Sequence, residues 1–181
     1  MIKSGLICIT LLGFSGAAVG SDIGLYFGVK VGNVVPKIEG YNLSTNQTYN
    51  FEPVTSIGGV IGYIIDQNLI LEGEINNNID SGEISSFGND KLNKWNITTL
   101  SVYGLYKGNG KTHLRLKAGL TSASVKYPDN LSANTWAPEG SSTKLSYGIG
   151  VGFDTSSGKE FIVEWTQLAE NISQISVGIY F

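Results

Sequence analysis

Eight stretches of this chain alternate apolar residues with small or polar ones at a period of two, and turn-rich segments separate them. That period is the signature of a β-strand with one apolar face. In the first stretch Ile23, Leu25, Phe27, Val29 and Val31 alternate with Gly24, Tyr26, Gly28, Lys30 and Gly32. Ile57, Ile61 and Tyr63 mark the second, and Leu69, Leu71 and Ile75, opposed by Glu72, Glu74 and Asn76, the third. Leu100, Val102 and Tyr106 form the fourth, although Tyr103 and Leu105 fall on its other face. Leu114 to Leu120, Leu145 to Phe153, Phe161 to Trp165 and Ile175 to Phe181 supply the remaining four.

The connections alternate in length. "IDQN", "KGNGK" and "TSSGK" are tight turns, whereas residues 33–54, 77–95 and 126–142 are long and polar, and the connection near "LAEN" is short. Short turns at one end and long loops at the other are expected of an up-and-down barrel in an outer membrane.

A soluble barrel would turn its apolar face inward, and a membrane barrel turns it outward. The other face decides. It carries ten glycines (24, 28, 32, 58, 62, 119, 148, 150, 152 and 178), which suit a narrow interior. It also carries charges of both signs, with Lys30, Arg115, Lys117 and Lys144 against Glu72, Glu74, Asp154, Glu160 and Glu164. Charges taken out of water are generally paired. The expectation is an ion-pair network of Lys30, Glu72, Glu74, Arg115, Lys117, Lys144 and Glu164 filling the lumen.

On the apolar face Tyr63, Tyr106, Phe153, Phe161 and Phe181 fall at the short-turn end, as an aromatic girdle at the periplasmic interface would. Trp165 suits an upper girdle, but Trp95 and Tyr127 have the wrong parity for one unless a bulge intervenes. The fold expected is therefore all-β: a closed, antiparallel, eight-stranded up-and-down transmembrane β-barrel. Its last strand needs no soluble core, because its apolar face meets lipid and strands one and seven close the sheet.

With this pattern over residues 22–181, the chain resembles the eight-stranded outer-membrane barrels of the OmpA, OmpX/Ail and Opa type. The resemblance implies that "SVGIYF", with Val177, Ile179 and Phe181, is the C-terminal signal read by the barrel-assembly machinery. It implies outer-membrane lipid and lipopolysaccharide as surroundings, and a monomer in the bacterial outer membrane. Unlike full-length OmpA, nothing in this sequence after the last strand corresponds to a peptidoglycan-binding domain.

Residues 1–20 read as a signal peptide before a barrel domain at 21–181. Lys3 is the positive region, "GLICITLLGFSG" the apolar region and Ala18-Val19-Gly20 the small-residue cleavage site, with cuts after Ala17 or Ala18 as alternatives. Cys8 lies inside the apolar region, so the mature chain would hold no thiol for a disulfide or a metal. Twelve basic against fifteen acidic residues leave no basic patch for nucleic acid.

Candidate chemistry is sparse. His113 is the single histidine, and Arg115, not a serine, stands two positions on, so the arrangement of barrel lipid A deacylases is missing. "GIGVG" runs through a strand, and "GFDTSSGKE" has Glu160 where a phosphate loop needs Ser or Thr. Asp80, Glu83 and Asp90 could offer oxygens to calcium but match no loop pattern. No cofactor is implied and no catalytic residue is assigned. Tyr41, Tyr49, Phe51, Phe87, Tyr127 and Trp136 lie among the polar loop residues, and of these Tyr41, Tyr49, Phe87 and Trp136 are candidates for recognising a host or matrix ligand. The leading expectation is a non-enzymatic barrel that presents three loops for recognition or adhesion and contributes to membrane integrity. The alternatives are a narrow ion or solute pore gated by the lumen ion pairs and, third, a lipid A-modifying enzyme.

Overall fold

The computed structural model describes residues 24–37, 39–42, 47–86, 91–126 and 140–181. The expected signal peptide, Phe87, Tyr127 and Trp136 lie outside the described residues. Eleven β-strands and no helix are present among the described residues: β1 (Leu25–Pro36), β2 (Glu39–Asn42), β3 (Gln47–Phe51), β4 (Val54–Ile64), β5 (Leu69–Asn78), β6 (Gly82–Ser86), β7 (Lys91–Lys107), β8 (Thr112–Lys126), β9 (Gly140–Asp154), β10 (Glu160–Ala169) and β11 (Ile172–Tyr180). Eight of them close into an antiparallel ring in the order β1, β4, β5, β7, β8, β9, β10, β11 and back to β1.

Closure is made by β1 against β11, from Gly28 opposite Tyr180 to Pro36 opposite Ile172. Phe27 and Phe181 exchange both backbone hydrogen bonds, at 3.3 and 2.8 Å, so the ladder reaches the last residue. No edge is left in the membrane-spanning part, which an apolar solvent requires because it cannot satisfy open backbone groups.

Alternation separates the two faces. Leu100, Val102, Leu116, Ile149, Val163 and Val177 point outward and are exposed, which in water would be untenable and in lipid is the stable arrangement. Tyr63, Tyr106, Phe153, Phe161 and Phe181 are outward too, 45–52% exposed and beside the short turns. Tyr147 and Trp165 meet edge to face toward the other end. Tyr103 and Leu105 obey the same rule from inside: both are fully buried in the lumen.

Two segments expected to be loops are largely strand. β2, β3 and β6 continue the sheet beyond the barrel, with Phe51 opposite Ile84 and Gly82 opposite Trp95, so β6 replaces β5 as the partner of β7 above Thr98. Tyr41 and Tyr49 consequently stand in β2 and β3, opposite Thr48 and Gly40. Beyond the bilayer a strand no longer has a lipid face, so its sequence loses the alternation that marks the barrel. The wall is uneven: β8 and β9 pair as far as Val125 opposite Gly140, whereas β9 and β10 stop at Tyr147 opposite Gln167.

Candidate functional site

The interior is built from side chains that the strand period sends inward, and it is layered. In the middle, Lys30 of β1 and Lys117 of β8 face Glu74 of β5 and Glu164 of β10. Lys30 Nζ lies 2.9 Å from Glu74 Oε1 and 2.7 Å from Glu164 Oε1. Lys117 Nζ lies 3.0 Å from Glu74 Oε2 and 2.6 Å from Glu164 Oε1. All four are buried. Each carboxylate thus touches both ammonium groups, and the square is neutral.

Supporting bonds hold it. Asn76 Nδ2 donates to Glu74 Oε1 at 2.8 Å, and Thr166 Oγ1 donates to Glu164 Oε1 at 3.0 Å. Lys117 Nζ sits 4.2 Å from the Tyr103 ring centroid, an attractive placement for a cation.

Toward the short turns a second group gathers around Arg115. Its guanidinium donates to Glu72 Oε2 and to Glu160 Oε1, both at 2.8 Å. Tyr26 Oη donates to the same Glu72 oxygen at 2.6 Å, and its ring stacks on Tyr180 at 5.3 Å between centroids. Glycine makes room for that pair: a Cβ on Gly28 would collide with the Tyr180 ring, and one on Gly62 with the Tyr26 ring. Lys107 Nζ bridges Asp154 and Glu160 at 3.2 Å each.

His113 completes this end. Its Nε2 is 2.7 Å from Glu160 Oε1 and its Nδ1 is 3.1 Å from the Gly110 carbonyl. Ligand atoms of His113, Asp154 and Glu160 lie within 4.8 Å of one another. Their carboxylates are already engaged by Lys107 and Arg115, so the trio is the periplasmic end of the ion-pair network. Of the candidate calcium ligands, Asp80 Oδ1 accepts from the Thr55 amide at 2.8 Å, Glu83 lies in β6, and Asp90 is outside the described residues.

The extracellular end is capped by apolar side chains. Trp95, fully buried, packs with Phe51, Val34, Ile84, Leu168 and Ile172, its ring meeting Phe51 edge to face at 5.9 Å. Trp95 Nε1 donates to the Glu52 carbonyl at 3.1 Å, so its polar atom is satisfied. Parity had excluded Trp95 from the girdle, and the reason is that it points into the lumen.

Six of the seven residues expected in the lumen network therefore meet one another or their partners inside it: Lys30, Glu72, Glu74, Arg115, Lys117 and Glu164. Lys144 does not. It lies at the extracellular end of β9, two residues above buried Ser146, and is exposed. Its inward parity was legible, but its height above the last β10 partner was not. Tyr26, Tyr103, Tyr180 and Lys107 join the interior without having been named as network members; the available signal was parity, which puts Tyr26 on the face of Lys30, Tyr103 on the face opposite Val102, and Tyr180 between Ile179 and Phe181. Val177 and Phe181 face outward and Ile179 is half-buried beside Val29 and Phe161.

A family model described as outer membrane protein beta-barrel domain matches residues 4–180. The fold is similar to that of the outer membrane protein OprG from Pseudomonas aeruginosa, with a TM-score of 0.63 and 12% identity over 90% of this chain and 98% of that one. Neisserial surface protein A is similar at a TM-score of 0.54 and 12% identity, over 87% of this chain and 96% of that chain. Comparison with curated protein sequences gave no match.

Proposed function

The chain belongs to the outer membrane protein β-barrel domain family, and from that premise we propose that it is a non-enzymatic scaffold of the bacterial outer membrane whose extracellular wall recognises a ligand on a host cell or matrix. The observation that carries this reading is the filled lumen. A neutral ion-pair layer and an apolar layer lie in series across it, so what remains for a partner is the wall beyond the bilayer. That wall is built of β2, β3, β6 and the upper parts of β7, β8 and β9. Strands are a firmer mount for recognition residues than free loops, because the ladder fixes the backbone.

The test is binding of cells displaying the protein to host cells and purified matrix proteins, beside cells displaying a version with residues 37–50 and 127–139 replaced by short linkers. Heat-shifted gel mobility shows that both are folded. Binding lost on replacement supports recognition, and equal binding at background by both refutes it.

The gated pore remains the second reading, and one observation favours it. Among the described residues the lumen holds buried polar atoms with no partner, including Glu72 Oε1, Asn76 Oδ1 and Arg115 Nε, which could serve as alternative partners if the ion pairs rearranged. Single-channel recording separates the two, since a scaffold gives a silent trace.

A further inference from the structure

At the short-turn end two tight turns are fastened together. Asn68, between β4 and β5, is clamped by Lys107: the Lys107 amide donates to the Asn68 carbonyl, and Asn68 Nδ2 donates to the Lys107 carbonyl, both at 2.7 Å. The Asn68 amide donates to Asp66 Oδ1 at 2.8 Å. The second hydrogen of Asn68 Nδ2 goes to Asn109 Oδ1, 3.1 Å away in the turn between β7 and β8. A backbone carbonyl only accepts, so the bond to Lys107 fixes which atom of the Asn68 amide is nitrogen, and Asn109 must then present its oxygen to it.

Asn109 is followed by Gly110, and no other asparagine in the chain precedes a glycine. Both residues are exposed. Gly110 has a φ of 98°, which favours glycine, and its amide donates to no other group among the described residues. With no Cβ beside it, that nitrogen is open to the Asn109 side chain.

We propose that Asn109 is a site of covalent self-modification, at which the Gly110 amide nitrogen attacks the Asn109 side chain and ammonia is lost. The inference goes beyond the recognition reading and does not depend on it. Hydroxide takes the Gly110 amide proton, and the nitrogen bonds to Asn109 Cγ. The bond from Cγ to Nδ2 then breaks, and the side-chain nitrogen leaves as ammonia with a proton taken from water. Water opens the resulting succinimide ring at one of its two carbonyls, which leaves an aspartate or an iso-linked aspartate. Nucleophile and carbon belong to neighbouring residues, so the attack is intramolecular. Negative charge gathers on Asn109 Oδ1 as the nitrogen adds, and Asn68 Nδ2 is already aimed at that atom. This donor, held in place by a different turn, separates the folded site from an Asn-Gly pair in a free peptide.

The products change the mouth of the barrel. An aspartate brings a carboxylate that still accepts from Asn68. The iso linkage lengthens the main chain inside a turn that the Gly108 amide closes on the Leu114 carbonyl at 2.8 Å, and it displaces the Gly110 carbonyl on which His113 Nδ1 rests.

The experiment holds the purified full barrel, folded in micelles, in mildly alkaline buffer made with heavy-oxygen water, and follows peptides by mass spectrometry over time. The peptide containing Asn109 should exchange its side-chain amide nitrogen for one heavy oxygen and separate into two products of equal mass. Asn109→Gln should abolish the change. Asn68→Ala should slow it about fivefold, the worth of one net hydrogen bond. Asn68→Asp, which keeps the shape but offers no hydrogen, should slow it as well, with heat-shifted mobility showing that each variant is folded. An Asn109 that stays intact while other asparagines react overturns the proposal. So does reaction at the original rate or faster in either Asn68 variant.

Discussion

Glu74 and Glu164 each neutralise two lysines, and this sharing makes the interior intolerant of losing any one member. Glu74→Ala leaves Lys30 and Lys117 with one carboxylate between them in a site that excludes bulk water. Removing one partner of a buried pair costs about 3–5 kcal/mol, because the other charge stays buried and uncompensated. The urea midpoint of the folded barrel in micelles should fall accordingly, and an unchanged midpoint would mean that the lumen is wet enough to solvate the ammonium groups. Lys144→Ala is the control that separates lumen from rim: the side chain is exposed and outside the network, so its effect should stay within about 0.5 kcal/mol by the same measurement. Gly28→Ala belongs with Glu74→Ala, since its Cβ would meet the Tyr180 ring and disturb the Tyr26 stack that orients Glu72. Overpacking of that kind costs about 1–3 kcal/mol.

Each barrel strand was readable in the sequence because it crosses two environments at once. Val163, half exposed to lipid, stands one residue from Glu164, which is buried between two lysines, and only a strand can put such neighbours on opposite sides. Val163→Arg should therefore destabilise the barrel by about 2–4 kcal/mol, as a charge on the lipid face near mid-depth does. A tryptophan-fluorescence unfolding curve in lipid vesicles checks it, and Val163→Leu should be silent. Where the lipid contrast ends, so did legibility. β2, β3 and β6 carry no apolar stripe because both of their faces lie beyond the bilayer, and they looked like loops. Trp95 had the wrong parity for a girdle and so no obvious role, since the cap it joins draws on β1, β3, β4, β6, β7, β8, β10 and β11 and exists only after the ring has closed. Arg115 and Glu72 meet as members of the expected network, whereas the contact of His113 with Glu160 was hidden for a related reason. Charge and facing could be read strand by strand, but which charges share a height depends on the registers of several ladders.

At the scale of the whole molecule the two lumen layers act in series, and that makes a prediction about transport different from either layer alone. An ion crossing the barrel would have to pass the apolar ring around Trp95 and then the square formed by Lys30, Glu74, Lys117 and Glu164. Trp95→Ala opens a cavity in the cap and should cost about 3–5 kcal/mol of stability, but the square below it still closes the path. Replacing Lys117 and Glu164 together by Ala removes one cation and one anion and keeps the square neutral, yet the cap above it still excludes water. Each of these variants should be silent in planar bilayers. The variant that combines Trp95→Ala with Lys117→Ala and Glu164→Ala should conduct in steps that the others lack, with heat-shifted mobility showing that it is folded. Conductance through Trp95→Ala alone would show that the ion pairs rearrange readily enough to let ions through, which is the gated-pore reading. A silent combined variant would place the closure elsewhere, in the Arg115 and Tyr180 group at the periplasmic end, where Arg115 lies 5.0 Å from the Tyr180 ring centroid.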